Sequence, residues 1–311
     1  MGTFLIALSA VAVLLLTAAP GFVFIKKNMV SRECMPGLSK ILLFVCQPSL
    51  AIYTFSSVSF SLELIKSIGI FVLAAIAIHA VMLGAACLII GKKFSDVKNR
   101  IFTIAVSFAN CAFFGIPIIE AVFGEAASGL IVYTTVYALV MNILGWTAGS
   151  AIISSNMKHM KPIKILVNPS TIGVLIALPL FLFSITLPSE LLNMITLLGK
   201  MTTPLSMLIM GMRLATMNPG DVFLSARGYI TSAIKLVVMP LVAFLIIFAM
   251  PLSSEIKGAF YIMCSCPTAS IVLNFSEIIG EGQKEAAGSV LLTTVLSIVT
   301  LPFMMLLLAL L

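Results

Sequence analysis

Apolar residues run through this chain in long, nearly unbroken blocks, and the polar and charged residues gather in short gaps between them. A helix needs about 20 such residues to cross a bilayer. Ten blocks of that kind can be drawn, at 4–25, 37–56, 66–91, 101–123, 129–153, 167–187, 191–215, 222–250, 257–280 and 285–309. The pattern predicts an all-α membrane protein of ten transmembrane helices, because helices satisfy their own backbone polar groups in lipid. The longest polar connection is about Ser154–Lys164, so no water-soluble domain is read between the spans.

The blocks also repeat. Glu125-Ala126-Ala127-Ser128-Gly129 followed by Thr134-Thr135-Val136 recurs as Glu285-Ala286-Ala287-Gly288-Ser289 followed by Thr293-Thr294-Val295. Pro48 pairs with Pro204 and Gly124 with Gly280 at an offset of 156, and residues 281–284 read as a short insertion. A period of half the chain marks a duplicated module, here 1–155 and 156–311. Five spans in each half make the second copy enter from the opposite face. The expected architecture is two inverted five-helix repeats, an arrangement many secondary transporters use.

Composition agrees with the block pattern, at 61% hydrophobic and 9% charged against roughly a quarter charged in a soluble domain. Thirteen basic residues, among them Lys26, Lys27, Lys98, Arg213, Arg227 and Lys284, fall in loops on one side, against Lys66 and Lys257 on the other. By the positive-inside rule the first side is cytoplasmic and both termini lie outside. The expected location is the cytoplasmic membrane, and the net charge of +7 is read as topology and lipid contact, with no nucleic acid implied. The first block lacks a positive n-region, so it is read as a retained span rather than a signal peptide. The six cysteines lie mostly within apolar blocks and suggest neither a disulfide framework nor a metal site.

The fourth block carries Asn110-Cys111-Ala112-Phe113-Phe114-Gly115-Ile116-Pro117, and the ninth Cys264-Ser265-Cys266-Pro267-Thr268-Ala269-Ser270. Proline removes a backbone donor and glycine loosens the helix, so both helices should break near the midplane. The offset of 156 superposes Asn110-Cys111 on Cys266-Pro267. Unwound backbone at that depth is tolerated where it is buried in protein or lines a cavity, and half-helix ends suit bound ions. Asn110, Cys111, Gly115, Pro117, Cys266, Pro267, Thr268 and Ser270 are therefore the candidate substrate-binding residues. The plainer alternative is a pair of proline kinks.

Ionisable residues inside spans are functional candidates by default. Lys200 is expected to neutralise an anionic substrate. Lys235, Glu120 and Glu277, with the amides Asn142 and Asn274, are candidates for coupling or gating; if a glutamate titrates in the cavity, coupling is to protons. Snorkelling to the interface explains the charged side chains equally simply, and an interhelical hydrogen bond the amides. His79 is expected to be neutral and bonded to a carbonyl, Trp146 to be an interfacial anchor, and Met207–Met212 to be packing whose Gly211 marks a close helix approach.

The stretch from Asn110 to Pro117, Asn168-Pro169, Pro204-Leu205-Ser206-Met207 with Gly211 and Leu214, and Pro267-Thr268-Ala269-Ser270 together resemble the landmarks of the auxin efflux carrier (PIN-like) family over the whole chain. The resemblance implies an NhaA-like fold with broken crossing helices 4 and 9. Spans 1, 2, 6 and 7 would form a scaffold, and spans 3–5 and 8–10 a transport domain that moves as an elevator. It further implies a homodimer that carries organic anions such as malate, malonate or auxin-like acids. The long cytoplasmic loop of plant auxin carriers is absent, which points to a bacterial-type permease.

The expected function is secondary active transport of a small carboxylate. No cofactor is expected, and a coupling ion would be H+ or Na+; a sodium-coupled symporter of the same fold is the alternative, and a passive channel the alternative of another class. No ring of charges or filter-like repeat supports a channel. Enzymes are excluded by motif, since His-Glu-x-x-His, Gly-x-Ser-x-Gly and the phosphate loop are all missing.

Overall fold

The computed structural model describes residues 2–154 and 169–311, and among these every regular element is helical. In chain order the helices are α1 (Gly2–Lys26), α2 (Cys34–Ser56), α3 (Leu62–Ile90), α4 (Val97–Ser107), α5 (111–123), α6 (127–154) and α7 (Pro169–Leu182). They continue as α8 (Ser189–Thr216), α9 (Pro219–Phe223), α10 (Ala226–Phe248), α11 (Ser254–Ser265), α12 (Ile271–Ile279) and α13 (Gln283–Leu310). Lys158, Lys161, Lys164 and Asn168 lie outside the described residues.

Seven stretches among the described residues are long and apolar enough to cross a membrane. The difference from ten blocks has local causes. α5 and α6 follow each other with only a tight turn at Gly124–Ala126 between them, so 111–154 forms one helical stretch. The blocks at 101–123 and 257–280 are each divided by an extended segment. Within α7, Thr171–Leu182 is a shorter apolar helix.

Helix ends follow ordinary capping chemistry. Ser61, Asp96, Ser225 and Ser253 accept hydrogen bonds from first-turn amides of α3, α4, α10 and α11. Gly124 closes α5 at φ +54° and Gly280 closes α12 at φ +80°, so the repeat-related glycines have the same local task. Three prolines do not break their helices. Pro48, Pro117 and Pro240 each stand two residues beyond a π-type turn, at Leu42–Cys46, Cys111–Gly115 and Ile234–Val238. A widened turn relieves the clash between the proline ring and the carbonyl four residues back. Pro117, expected at the gap, thus lies inside the restarted helix, whereas Pro267 lies in a gap.

Packing is closest where glycines face backbone. α1 lies along the second half of α8, with Gly21 against the Leu208 carbonyl and Gly211 against the Ala18 carbonyl. α2 packs on α7 and on the first half of α8, where Gly173 meets Pro48 and Gly199 meets Leu50. Small residues permit this approach in a solvent that gives helices no hydrophobic reason to associate. Gly145 and Gly149 do the same for α6, facing Ile271, Phe275 and Phe108. Met207, Met210 and Met212 are buried packing residues.

Gly211→Val should cost about 1–3 kcal/mol or more, the range for an overpacked contact, because its Cβ would meet the Ala18 carbonyl. Thermal unfolding in detergent checks this. Gly69→Ala, whose Cβ would meet nothing within 4 Å, should leave the midpoint unchanged or slightly raised.

Candidate functional site

α4 stops at Ser107 and α11 at Ser265, and the chain beyond each is extended, with Phe108 at φ −110°, ψ 126° and Cys266 at φ −65°, ψ 153°. The two extended segments cross and pair antiparallel, with Ala109 opposite Thr268. The Asn110 amide donates to the Pro267 carbonyl at 2.7 Å, and the Ala269 amide to the Phe108 carbonyl at 3.0 Å. Thr268 secures the crossing a second time. Its hydroxyl donates to the Ala105 carbonyl at 3.0 Å, and its amide to Thr293 Oγ1 at 3.1 Å. Backbone groups released by the breaks therefore find partners, as burial demands.

Lys235 completes the crossing from the far side. It is fully buried in the π-type turn of α10 and donates to the Cys264 carbonyl at 3.0 Å, at the carbonyl end of α11. A cation is favoured there by the helix dipole and by the unpaired carbonyls. The ion pairs among the described residues are Lys98–Glu285, Arg100–Glu281 and Arg213–Glu277, so Lys235 belongs to none. His79, also fully buried, donates from Nδ1 to the Ala75 carbonyl at 2.7 Å, as expected of a neutral ring. Tyr137 OH stands 3.4 Å from Cys264 Sγ.

α5 and α12 start where the crossing ends, and their N-termini border a common cavity of about 120 Å³. That is space for roughly four waters, or a small organic acid stripped of its hydration. Asn110, Ala112 and Phe113 line it from one half-helix, and Ser270, Ile271 and Asn274 from the other. Gln47 of α2 and Thr135 and Asn142 of α6 add polar groups, with no acidic or basic side chain among the described lining residues. First-turn amides at both half-helix starts lack helical acceptors, so the cavity has a positive edge without a formal charge. The Asn110 side-chain NH2 is buried and has no hydrogen-bond partner among the described residues. A further small cavity shares Leu43, Phe113, Ser270 and Asn274 with the first and extends to Ser206 and Arg213.

The candidates from the sequence thus separate. Asn110, Cys111, Ser270, Asn142 and Asn274 line the cavity. Cys266, Pro267 and Thr268 form the crossing beneath it, and Gly115 lets Cys266 approach, with Sγ 3.3 Å from where its Cβ would be. Lys200 lines none of the described cavities; its Nζ stands 5.8 Å from the Tyr53 ring centroid, within electrostatic reach of Glu120. Glu277 is 51% exposed and holds Arg213 at 2.9 Å. Trp146, expected at an interface, lines the cavity and packs edge-on against Phe275 at 5.1 Å. Gln47 and Thr135 were not among the expected residues. The signal for Gln47 was its place next to Pro48, one of the repeat-related prolines.

Thr268→Val keeps the shape and removes the hydroxyl bond to Ala105. Loss of one buried hydrogen bond should cost ~1 kcal/mol, read by unfolding in mixed micelles.

The sequence profile of the family described as membrane transport protein matches residues 6–305. No curated protein matches the chain. The match covers nearly the whole chain. The chain therefore belongs to the membrane transport protein family of auxin efflux carrier-like proteins, and is a multi-pass membrane transporter rather than an enzyme.

Proposed function

We infer that this transporter is a secondary carrier of a small organic anion, and that the anion binds in the cavity between the starts of α5 and α12. The observation that carries this reading is the Asn110 side-chain amide, a buried donor without a partner at the edge of that cavity. A carboxylate would accept from it and from the first-turn amides of both half-helices. The apolar remainder, including Ala138, Leu139 and Trp146, suits the carbon skeleton of an organic acid.

The ten-span inverted repeat, with halves 1–155 and 156–311, belongs to the same proposal. Gly124 and Gly280 in matching caps support it, as does the crossing of two broken helices. The close glycine-mediated packing of α1, α2, α7 and α8 supports a scaffold of spans 1, 2, 6 and 7. The remaining spans would move against it as an elevator, in a homodimer in the cytoplasmic membrane with both termini outside.

On coupling, the packing of the crossing favours protons, or no ion, over sodium. Carbonyls that a sodium ion would need at the breaks already accept hydrogen bonds: Ala105 from Thr268, Phe108 from Ala269, Pro267 from Asn110 and Cys264 from Lys235. Lys235 Nζ takes up the Cys264 carbonyl at the end of α11.

Uptake of a labelled carboxylate panel into proteoliposomes tests the site. Asn110→Ala should lower kcat/KM for the transported acid about tenfold or more, the worth of a hydrogen bond to a charged group. Lys200→Ala should leave KM within about twofold, since Lys200 stands over the half-buried Tyr53 ring and lines none of the described cavities. Saturable uptake unchanged in Asn110→Ala would place the substrate elsewhere. In the same vesicles, exchanging sodium for potassium at constant pH and voltage should leave the rate unchanged; sodium dependence would sink the coupling argument.

A further inference from the structure

A separate cavity of about 290 Å³ lies away from the crossing, where the beginnings of three helices meet. Its wall comes from the first turns of α4, α10 and α13, with Gly220 from α9. Lys98, Arg227 and Lys284 line it, with Glu285 the one carboxylate among the described lining residues, and Lys284 is itself engaged in the structure. Glu285 is engaged with Lys98 at 3.4 Å, and Arg227 donates to the uncharged Asn99 side chain at 2.9 Å. The α13 N-terminus carries no side-chain cap. The uncapped α13 N-terminus thus adds positive potential to the basic side chains of the lining.

The second observation comes from inside the cavity. Ser289 lines it, is only 7% exposed, and its hydroxyl has no hydrogen-bond partner among the described residues. A hydroxyl that no protein group engages is free to bond whatever fills the cavity. Glu285, Gly288 and Ser289 of the duplicated Glu285–Ser289 motif all face this space, although the carrier site makes no use of the motif.

We propose that this cavity is a binding site for a phosphate group, held by Arg227, Lys284 and the Ser289 hydroxyl at the start of α13. A tetrahedral oxyanion has acceptors for donors that arrive from several directions, as they do here, and helix N-termini are suited to it. All three helices continue to the crossing. α4 ends at it, α10 carries Lys235, and α13 carries Thr293, whose hydroxyl donates to the Ser289 carbonyl at 2.7 Å while accepting from the Thr268 amide. The floor of the cavity is therefore two hydrogen bonds from the crossing, so occupancy braces the helices that support the carrier site. The phosphate belongs either to an anionic phospholipid headgroup or to a soluble ion, since basic loops of this kind face headgroups.

The test uses the full chain in nanodiscs and reads the midpoint of thermal unfolding, independently of transport. One arm compares phosphatidylcholine alone with phosphatidylcholine containing graded phosphatidylglycerol. The other titrates inorganic phosphate into phosphatidylcholine discs against chloride at matched ionic strength. A saturable rise is expected in at least one arm; a rise only with phosphatidylglycerol assigns a headgroup, and a rise with inorganic phosphate a soluble ligand. Arg227→Gln/Lys284→Gln should weaken the apparent affinity about tenfold or more, and Ser289→Ala, a gentle change that guards against a folding artefact, should weaken it measurably. Lys26→Gln/Lys27→Gln, outside the cavity on the end of α1, should respond as the native chain does. The proposal is overturned by no saturable rise in either arm, by an unaltered response in Ser289→Ala, or by equal loss in the Lys26/Lys27 variant.

Discussion

Two helices that stop inside a membrane bundle must find partners for the backbone groups they leave open, and this chain meets that requirement by crossing them. The reciprocal bonds from Asn110 to Pro267 and from Ala269 to Phe108 replace the helical ladder over a few residues. Thr268 and Lys235 occupy two further carbonyls at the helix ends. Once the carbonyl ends are paired with each other, the N-termini of α5 and α12 are left facing one cavity. The positive edge of this cavity is thus a by-product of how the crossing is satisfied.

Everything around the crossing has to be close and stiff enough to hold it. Gly145 and Gly149 allow α6 to approach Phe108, Ile271 and Phe275 at the break itself. Gly21 and Gly211 bring α1 and α8 into backbone contact elsewhere, where lipid offers no hydrophobic gain for association. π-type turns ahead of Pro48, Pro117 and Pro240 let prolines sit in helices without breaking them. The same residue type therefore has two outcomes here. Pro117 continues a helix, and Pro267 lies in the extended strand of the crossing.

Among the described residues, charge is kept away from the cavity at the crossing and collected elsewhere. Among the described residues its lining has no acidic or basic side chain, so its polarity comes from amides, hydroxyls and helix ends. Lys235, buried among the described residues, stands behind the crossing and bonds the Cys264 carbonyl. Arg213 and Glu277 hold each other at the end of the adjoining cavity. The crossing and the basic cavity at Ser289 are joined through Thr293 and Thr268.

Much of this was legible in the residues. Long apolar blocks determine a helical membrane protein, because backbone in lipid has few alternatives. The duplicated motifs and the paired Asn110-Cys111 and Cys266-Pro267 segments locate both breaks to within a few residues, since local donor loss and glycine freedom act over single turns. Gly211 announced a close approach for the same local reason. What the sequence could not determine was which groups meet across the bundle. Lys200 and Lys235 look alike in an apolar span, yet one lies over Tyr53 and the other caps Cys264, because only the packing of α10 on α11 supplies a carbonyl within reach. Gln47 and Trp146 enter the cavity through the rotation of α2 and α6, which long-range packing sets and a nearly uniform apolar block leaves open.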